Sequence, residues 1–324
     1  MSKNQYRLLI LAKLAISTFL IGVIVSRVNL SDVWSAFVGS DKRLIVMAFI
    51  LYFVGFCIIA LRWKLLLDAQ GLSPRYLTLI QSVMVAVFFN NFLPSTIGGD
   101  AMRAYDTWKM GGGKTQSVSV VFIDRLLGIF TLFVFALLAI LWGNAELSFI
   151  PNIRLWVALA VLAGVVALYV LFFRARQVSD YLQRHRHRKY GVISRPLEKI
   201  FSAFAGFNGK PGVLMLALLL SVLLQLNVIA HYYLIAHSLG IDIELSAMFI
   251  IVPVSIVVMM IPLSINAIGI REVIFVAMFA LYGVANADAL AFAWLSFILG
   301  TVLGISGGIV FMLRRRIAAD IEVT

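Results

Sequence analysis

Charged and amide side chains set among apolar residues mark where this chain can do chemistry. The tract Asn90-Asn91-Phe92-Leu93-Pro94-Ser95-Thr96-Ile97-Gly98-Gly99-Asp100-Ala101-Met102-Arg103 places two amides, a carboxylate and a guanidinium in an apolar stretch. Asp124-Arg125 interrupts the run 116–142, and Asn266, Gly269, Arg271 and Glu272 interrupt 246–283. An ionised side chain at membrane depth costs at least about 2.5–3.5 kcal/mol, so it turns to a cavity or a partner. Arginine presents a planar fork that suits a phosphate. Asp100, Asp124 or Glu272 can neutralise a basic group. The candidate substrate-binding residues are Asn90, Asn91, Pro94, Gly98, Gly99, Asp100, Arg103, Asp124, Arg125, Asn266, Gly269, Arg271 and Glu272.

Local sequence predicts how these residues are presented. Pro94 and the paired glycines break a helix, and Ser95 or Thr96 can cap the next one. A short helix from about Gly99 would aim its first N–H groups at an anion. Pro262 breaks the second tract, and Arg103 and Arg271 each follow their proline by nine residues. Two readings stay open for each tract: a turn outside the membrane, or a cavity-lining segment. Asp124 or Arg125 can face Arg103, Arg271, Asp100 or Glu272, as a structural salt bridge or as a substrate contact.

Other polar residues read more plainly. Lys13 and Arg62 lie near span ends and are expected to snorkel to the headgroups. Gln225, Asn227 and His231 read as hydrogen-bond glue between helices. His231 and His237 stand six apart on different helix faces, which argues against a metal. Gly111-Gly112-Gly113-Lys114-Thr115 imitates a P-loop, but Trp108 stands where its first glycine belongs and a helix precedes it. Nucleotide binding is therefore rejected. With no ATP motif, any transport would run on a gradient or simply equilibrate. No metal-ligand spacing and no nucleophile–base pairing is present, so neither enzyme activity nor a cofactor is expected. The lone Cys57 excludes a disulfide framework.

The composition says what holds these residues. Of 324 residues, 62% are hydrophobic and 13% charged, against roughly 25% charged in soluble domains. Lipid must cover the excess, and helices are the form that satisfies the backbone there. Spans are expected at 8–26, 44–67, 116–142, 154–173, 213–238 and 289–313, with interrupted stretches at 77–110 and 246–283. The predicted fold is an all-α integral membrane protein of six spanning helices plus two re-entrant helical hairpins. The net charge of +12 sits in short segments between spans, the pattern of positive-inside topology rather than of nucleic-acid binding. The basic loop 174–212 and both termini are expected in the cytoplasm, and 239–245 outside, in the inner membrane. Leu197, Ile200, Phe201, Phe204 and Phe207 repeat at helical spacing, as in an interfacial helix on anionic lipid headgroups. Residues 1–324 read as one transmembrane domain, with 1–142 and 143–324 as halves of an inverted repeat, the layout of many transporters. A homo-oligomer is compatible with this pattern.

The combination Phe89-Asn90-Asn91-Phe92-Leu93-Pro94, Gly98-Gly99-Asp100, Arg103, Asp124-Arg125 and Gly269-Ile270-Arg271-Glu272 resembles the lysylphosphatidylglycerol synthase transmembrane family. The resemblance covers nearly the whole chain. It implies a flippase-like domain that moves an aminoacylated, glycosylated or otherwise polar membrane lipid between leaflets. No soluble aminoacyl-transferase domain follows Thr324, so it implies translocation rather than synthesis. The rival expectations are a membrane-embedded enzyme acting on a lipid headgroup and a non-transporting subunit of an envelope-synthesis complex.

Overall fold

Long apolar runs become long helices here, and they carry single interruptions without ending: Asp124-Arg125 and Gly128 lie inside one helix, and Gly300, Gly304, Gly307 and Gly308 inside another. The structure is a computed structural model, describing residues 30–92, 97–142, 153–184, 191–261 and 264–322. Among these residues there are twelve α-helices and no strand. They are α1 (Leu30–Gly39), α2 (Lys42–Ala69), α3 (Tyr76–Phe92), α4 (Ile97–Lys109), α5 (Lys114–Trp142) and α6 (Ile153–Phe173). Then come α7 (Ala175–Arg184), α8 (Gly191–Ala205), α9 (Pro211–Ser238), α10 (Leu245–Met259), α11 (Ile270–Ala280) and α12 (Asn286–Glu322). A 3₁₀ turn, Ile265–Ala267, precedes α11.

Four segments are long and apolar enough to cross a membrane: Lys42–Ala69, Lys114–Leu138, Pro211–Ser238 and Asn286–Arg314. A helix of 28 residues runs about 42 Å, more than the roughly 30 Å of hydrocarbon. These segments coincide with four of the expected spans. The expected span 154–173 is helical as α6, but its end bends by 84° into α7, so that the described residues give four spans, or five with the bent pair. The expected span 8–26 lies outside the described residues, as do Pro94 and Pro262. The protein is an all-α, multi-pass membrane protein.

The described residues of each interrupted stretch form two separate helices, α3 and α4 in the first and α10 and α11 in the second. The 17 residues of α3 and 15 of α10 reach only about 25 and 22 Å, short of the hydrocarbon thickness. The Gly99 N–H donates to Asn90 Oδ1 at 2.9 Å, and a Cβ at Gly99 would collide with the Ala86 carbonyl. The start of α4 therefore doubles back on α3. In the second stretch α11 packs against α10 and α12.

Packing divides the chain into two compact units, with the boundaries inside α2, α3, α4 and α9. The first unit comprises 1–57, 81–102 and 225–324, and the second comprises 58–80 and 103–224. In the first, α12 receives α3 along a glycine face. Asn91 Nδ2 donates to the Gly300 carbonyl at 3.1 Å, and a side chain at Gly307 would overlap the Met84 carbonyl. Phe275, Phe279 and Phe292 form its aromatic core, with edge contacts of 4.9 and 4.7 Å about Phe292. In the second unit α5 packs on α6 and α8, and α7 on α8. Its turns gather at one end. Gln116 Nε2 donates to the Gln70 carbonyl at 2.9 Å, and Gln70 Nε2 to the Gly206 carbonyl at 2.8 Å.

One expectation changes here. The apolar stripe of 197–207 was assigned to a lipid surface, but Phe204 and Phe207 are fully buried. Phe204 stacks on Phe172 at 6.3 Å. Once α7 turns away from α6, α8 has protein to cover that end of its stripe, and only Leu197 at the other end stays exposed.

Candidate functional site

The second unit carries a charged cluster built by four helices. Asp124 of α5 is buried, 1% exposed, and both its oxygens are taken by arginines. Arg62 Nε, from α2, donates to Oδ1 at 2.6 Å. Arg103 Nη2, from α4, stands 2.8 Å from Oδ2. Arg62 also donates through Nη1 to Ser221 Oγ of α9 at 2.6 Å, and the Ser221 hydroxyl donates to the Ala217 carbonyl at 2.9 Å. Gly128, one turn beyond Asp124, faces the Arg62 guanidinium, whose Nη1 would make an ordinary 3.4 Å contact with a Cβ there.

Arg103 is held differently. Its Cζ lies 4.5 Å over the Trp63 ring, a cation–π contact whose strength grows with desolvation. The approach to Asp124 is ionic, because the Nη2 hydrogen is not aligned on Oδ2. Nε and Nη2 are both buried without an aligned acceptor, and so is Trp63 Nε1. Arg103 itself is 5% exposed. A buried donor left unmade costs about 1–3 kcal/mol, more for a charged group. Arg62, Arg103 and Asp124 together carry one positive charge that they do not cancel. Such a site has donors and charge to offer an oxyanion.

The other predicted residues fall into distinct roles. Asn90 caps the start of α4 through Gly99, so the first N–H of the expected anion site is already engaged. Asn91 ties α3 to α12. Gly98 and Asp100 are half-buried, and Asp100 has an interaction partner of its own. Arg125 is half-buried and likewise partnered. It points about 100° round the helix from Asp124.

In the first unit, Arg271 stands at the start of α11. Its Nη2 donates to the Asn266 carbonyl at 3.1 Å, its Cζ lies 4.7 Å over Phe297, and Nη1 is buried without a partner. Asn266, Ala267 and Gly269 have φ of 49°, 56° and 87°. This backbone is unusual for residues with a side chain, and Ala267 in particular has no polar group to compensate. Glu272 turns back on its own helix and accepts the Gly269 N–H at 2.6 Å. Its carboxylate is the reciprocal half of a capping box.

Sequence reasoning missed Arg62, Trp63, Gly128 and Ser221. Arg62 was expected to snorkel; instead it is 4% exposed and pairs with Asp124. Lys64 shows why, since two residues on it lies at the surface and bridges to Asp68 at 2.8 Å. Positions two apart differ by about 200° round a helix, so Lys64 reaches the protein surface while Arg62 faces inward. The glue role expected of His231 is met, with Nδ1 2.8 Å from the Ala48 carbonyl. Lys13 lies outside the described residues.

Apolar spanning helices around a buried charged cluster define a multi-pass helical membrane protein with a polar site in its interior. The chain belongs to the lysylphosphatidylglycerol synthase TM region family, whose profile matches residues 10–308. It is similar to UPF0104 membrane protein MJ1595 of Methanocaldococcus jannaschii, 25% identical over 313 residues, covering 90% of this chain and 91% of the relative. It is also similar to UPF0104 membrane protein PH1989 of Pyrococcus horikoshii, 27% identical over 303 residues, covering 86% and 89%. A UPF0104 membrane protein of Methanothermobacter thermautotrophicus is 27% identical over 266 residues, 76% and 78% of the two chains.

Proposed function

We propose that this protein is a flippase-like translocase that moves a polar-headed membrane lipid between leaflets, with Arg103 contacting the headgroup. The family concerns a membrane region of a lipid synthase, which supports a lipid as cargo. The observation that carries the reading is Arg103: buried, stacked on Trp63, with Nε left without an acceptor, beside a carboxylate that it shares with Arg62. A purely structural ion pair would need only Arg62. The second arginine brings a second positive charge to that one carboxylate and a buried Nε–H that has no acceptor, and a guanidinium fork matches phosphate oxygens.

The broken helices α3/α4 and α10/α11 suit this role, since irregular backbone at membrane depth is tolerated where it lines a cavity. In this reading both are re-entrant, and the membrane is the cytoplasmic one, with the basic loop inside.

The test is leaflet exchange in vesicles holding purified protein and a lipid labelled on its acyl chain. Wild type should speed passage across the bilayer and release no free headgroup. Arg103→Gln keeps the Arg62–Asp124 pair, so it should fold while passage falls at least tenfold. Arg103→Lys retains the charge without the fork and should fall in between. Normal exchange by Arg103→Gln would sink the headgroup role, and release of a cleaved headgroup by wild type would replace the translocase with an enzyme.

A further inference from the structure

The acidic side chains at the two arginine sites are already engaged, while arginine donors remain unmatched. Asp124 gives one oxygen to Arg62 and the other to Arg103. Glu272 gives its carboxylate to the Gly269 N–H. Asp100 and Asp106, the carboxylates on the helix that carries Arg103, each have a partner. Against these stand Arg103 Nε in one unit and Arg271 Nη1 in the other, both buried without an acceptor.

An ammonium group needs negative charge around it, and at Asp124 two guanidinium groups already share the one carboxylate. The two arginines and one carboxylate of the second unit leave a surplus of one positive charge. A phosphodiester carries one negative charge and two unesterified oxygens, so it cancels that surplus and can accept from the Arg103 Nε–H. Uncompensated buried charge is strongly disfavoured, which makes the match selective. A headgroup bearing an amino group in addition would bring back a positive charge beside two guanidinium groups.

We infer that the headgroup recognised here is a phosphodiester monoanion without a cationic amine, so that this chain discriminates against aminoacylated lipids. The inference rests on the translocase reading and narrows its cargo. Within a family described by a lysyl-lipid synthase, it assigns this chain the unmodified anionic lipid.

The experiment compares acyl-labelled phosphatidylglycerol, lysyl-phosphatidylglycerol and phosphatidylcholine in the same vesicle assay, with inorganic phosphate as a soluble competitor. Phosphatidylglycerol should cross at least tenfold faster than the other two. Inorganic phosphate should slow it by less than twofold if the lipid is the source of the anion. Strong competition would show that a free phosphate fills the site and would overturn lipid recognition. Equal or faster passage of the lysyl lipid would overturn the inference while leaving translocation standing.

If none of the three lipids crosses faster than through protein-free vesicles, translocation falls. Binding of short-chain versions, read as a shift in unfolding temperature, then decides the selectivity. Stabilisation by dihexanoyl-phosphatidylglycerol, lost in Arg103→Gln, supports it. Equal stabilisation by the short-chain lysyl lipid overturns it.

Discussion

Asp124 is the residue on which the buried cluster depends, because it holds two guanidinium groups. Its replacement by Asn would leave Arg62 and Arg103 facing each other with no full negative charge between them. Breaking a buried pair by removing one partner costs about 3–5 kcal/mol, and here one change removes it for both arginines. Asp124→Asn should therefore unfold at markedly lower temperature in detergent, as followed by tryptophan fluorescence. Arg103→Gln should cost far less, since the 2.6 Å Arg62–Asp124 bond survives. Equal losses in the two variants would mean that Arg103, not Arg62, is the pair that matters to the fold. This site was partly legible in the sequence. Charges at 103 and 124 stood out because their surroundings are apolar, and Arg103 was among the partners expected for Asp124. Arg62 was misread because distance along the chain to the end of a span does not say which face a residue occupies. Trp63, Gly128 and Ser221 carry no charge, so nothing in the pattern of charges could flag them.

At the scale of elements, the breaks were readable and the contacts between helices were not. Asn90-Asn91, the paired glycines and Gly269 marked where helices end, because these residue types cap, bend or adopt positive φ. The glycine face of α12 went unnoticed, since Gly300, Gly304, Gly307 and Gly308 lie inside an apolar run that any spanning helix can contain. Their use is seen only when α3 arrives: a side chain at Gly304 would overlap the Asn91 amide, and one at Gly307 the Met84 carbonyl. Gly307→Ala forces backbone apart and should destabilise by about 1–3 kcal/mol, as overpacking does. Gly212→Ala, near the start of α9 with nothing within 4 Å, should be neutral or slightly stabilising. A thermal melt of both variants checks the contrast, and an unchanged Gly307→Ala would remove the close approach. Glu272 gives a second element-scale test. As a cap it needs an acceptor oxygen, not a charge, so Glu272→Gln should keep stability and transport. Glu272→Ala should lose about 0.5–2 kcal/mol, the usual worth of a helix cap. Loss of transport in a stable Glu272→Gln would show instead that its charge meets the cargo.

At the scale of the whole molecule, the composition and the run lengths made the helical membrane class legible from the start. The number of spans is less so, because a sequence window cannot see the 84° turn at the end of α6. Orientation rests on positive charge, and the structure gives that argument a mechanical check. The turns about residues 70, 112 and 206 are tied together within one unit through Gln70, Gln116 and the Lys210 ammonium, which donates to the Ala69 carbonyl. Whichever side of the membrane holds one of these turns holds them all, so Lys114 and Lys210 must share a side. The 28 residues of α9 separate Lys210 from Asp242, and all three side chains are exposed. In a Cys57→Ser background, cysteines at 114 and 210 should react with a membrane-impermeant maleimide only after cells are permeabilised. A cysteine at 242 should react on intact cells. Reaction of 114 and 210 from outside, with 242 protected, would keep the spans and reverse the orientation. Reaction of 114 and 210 on opposite sides would contradict the gathered turns themselves. A re-entrant α3/α4 hairpin sharpens the test, because the chain enters at Arg75 and leaves at Lys109. Cysteines at both positions should behave like those at 114 and 210, whereas a hairpin that crosses the membrane would place Arg75 and Lys109 on opposite sides and end the re-entrant reading.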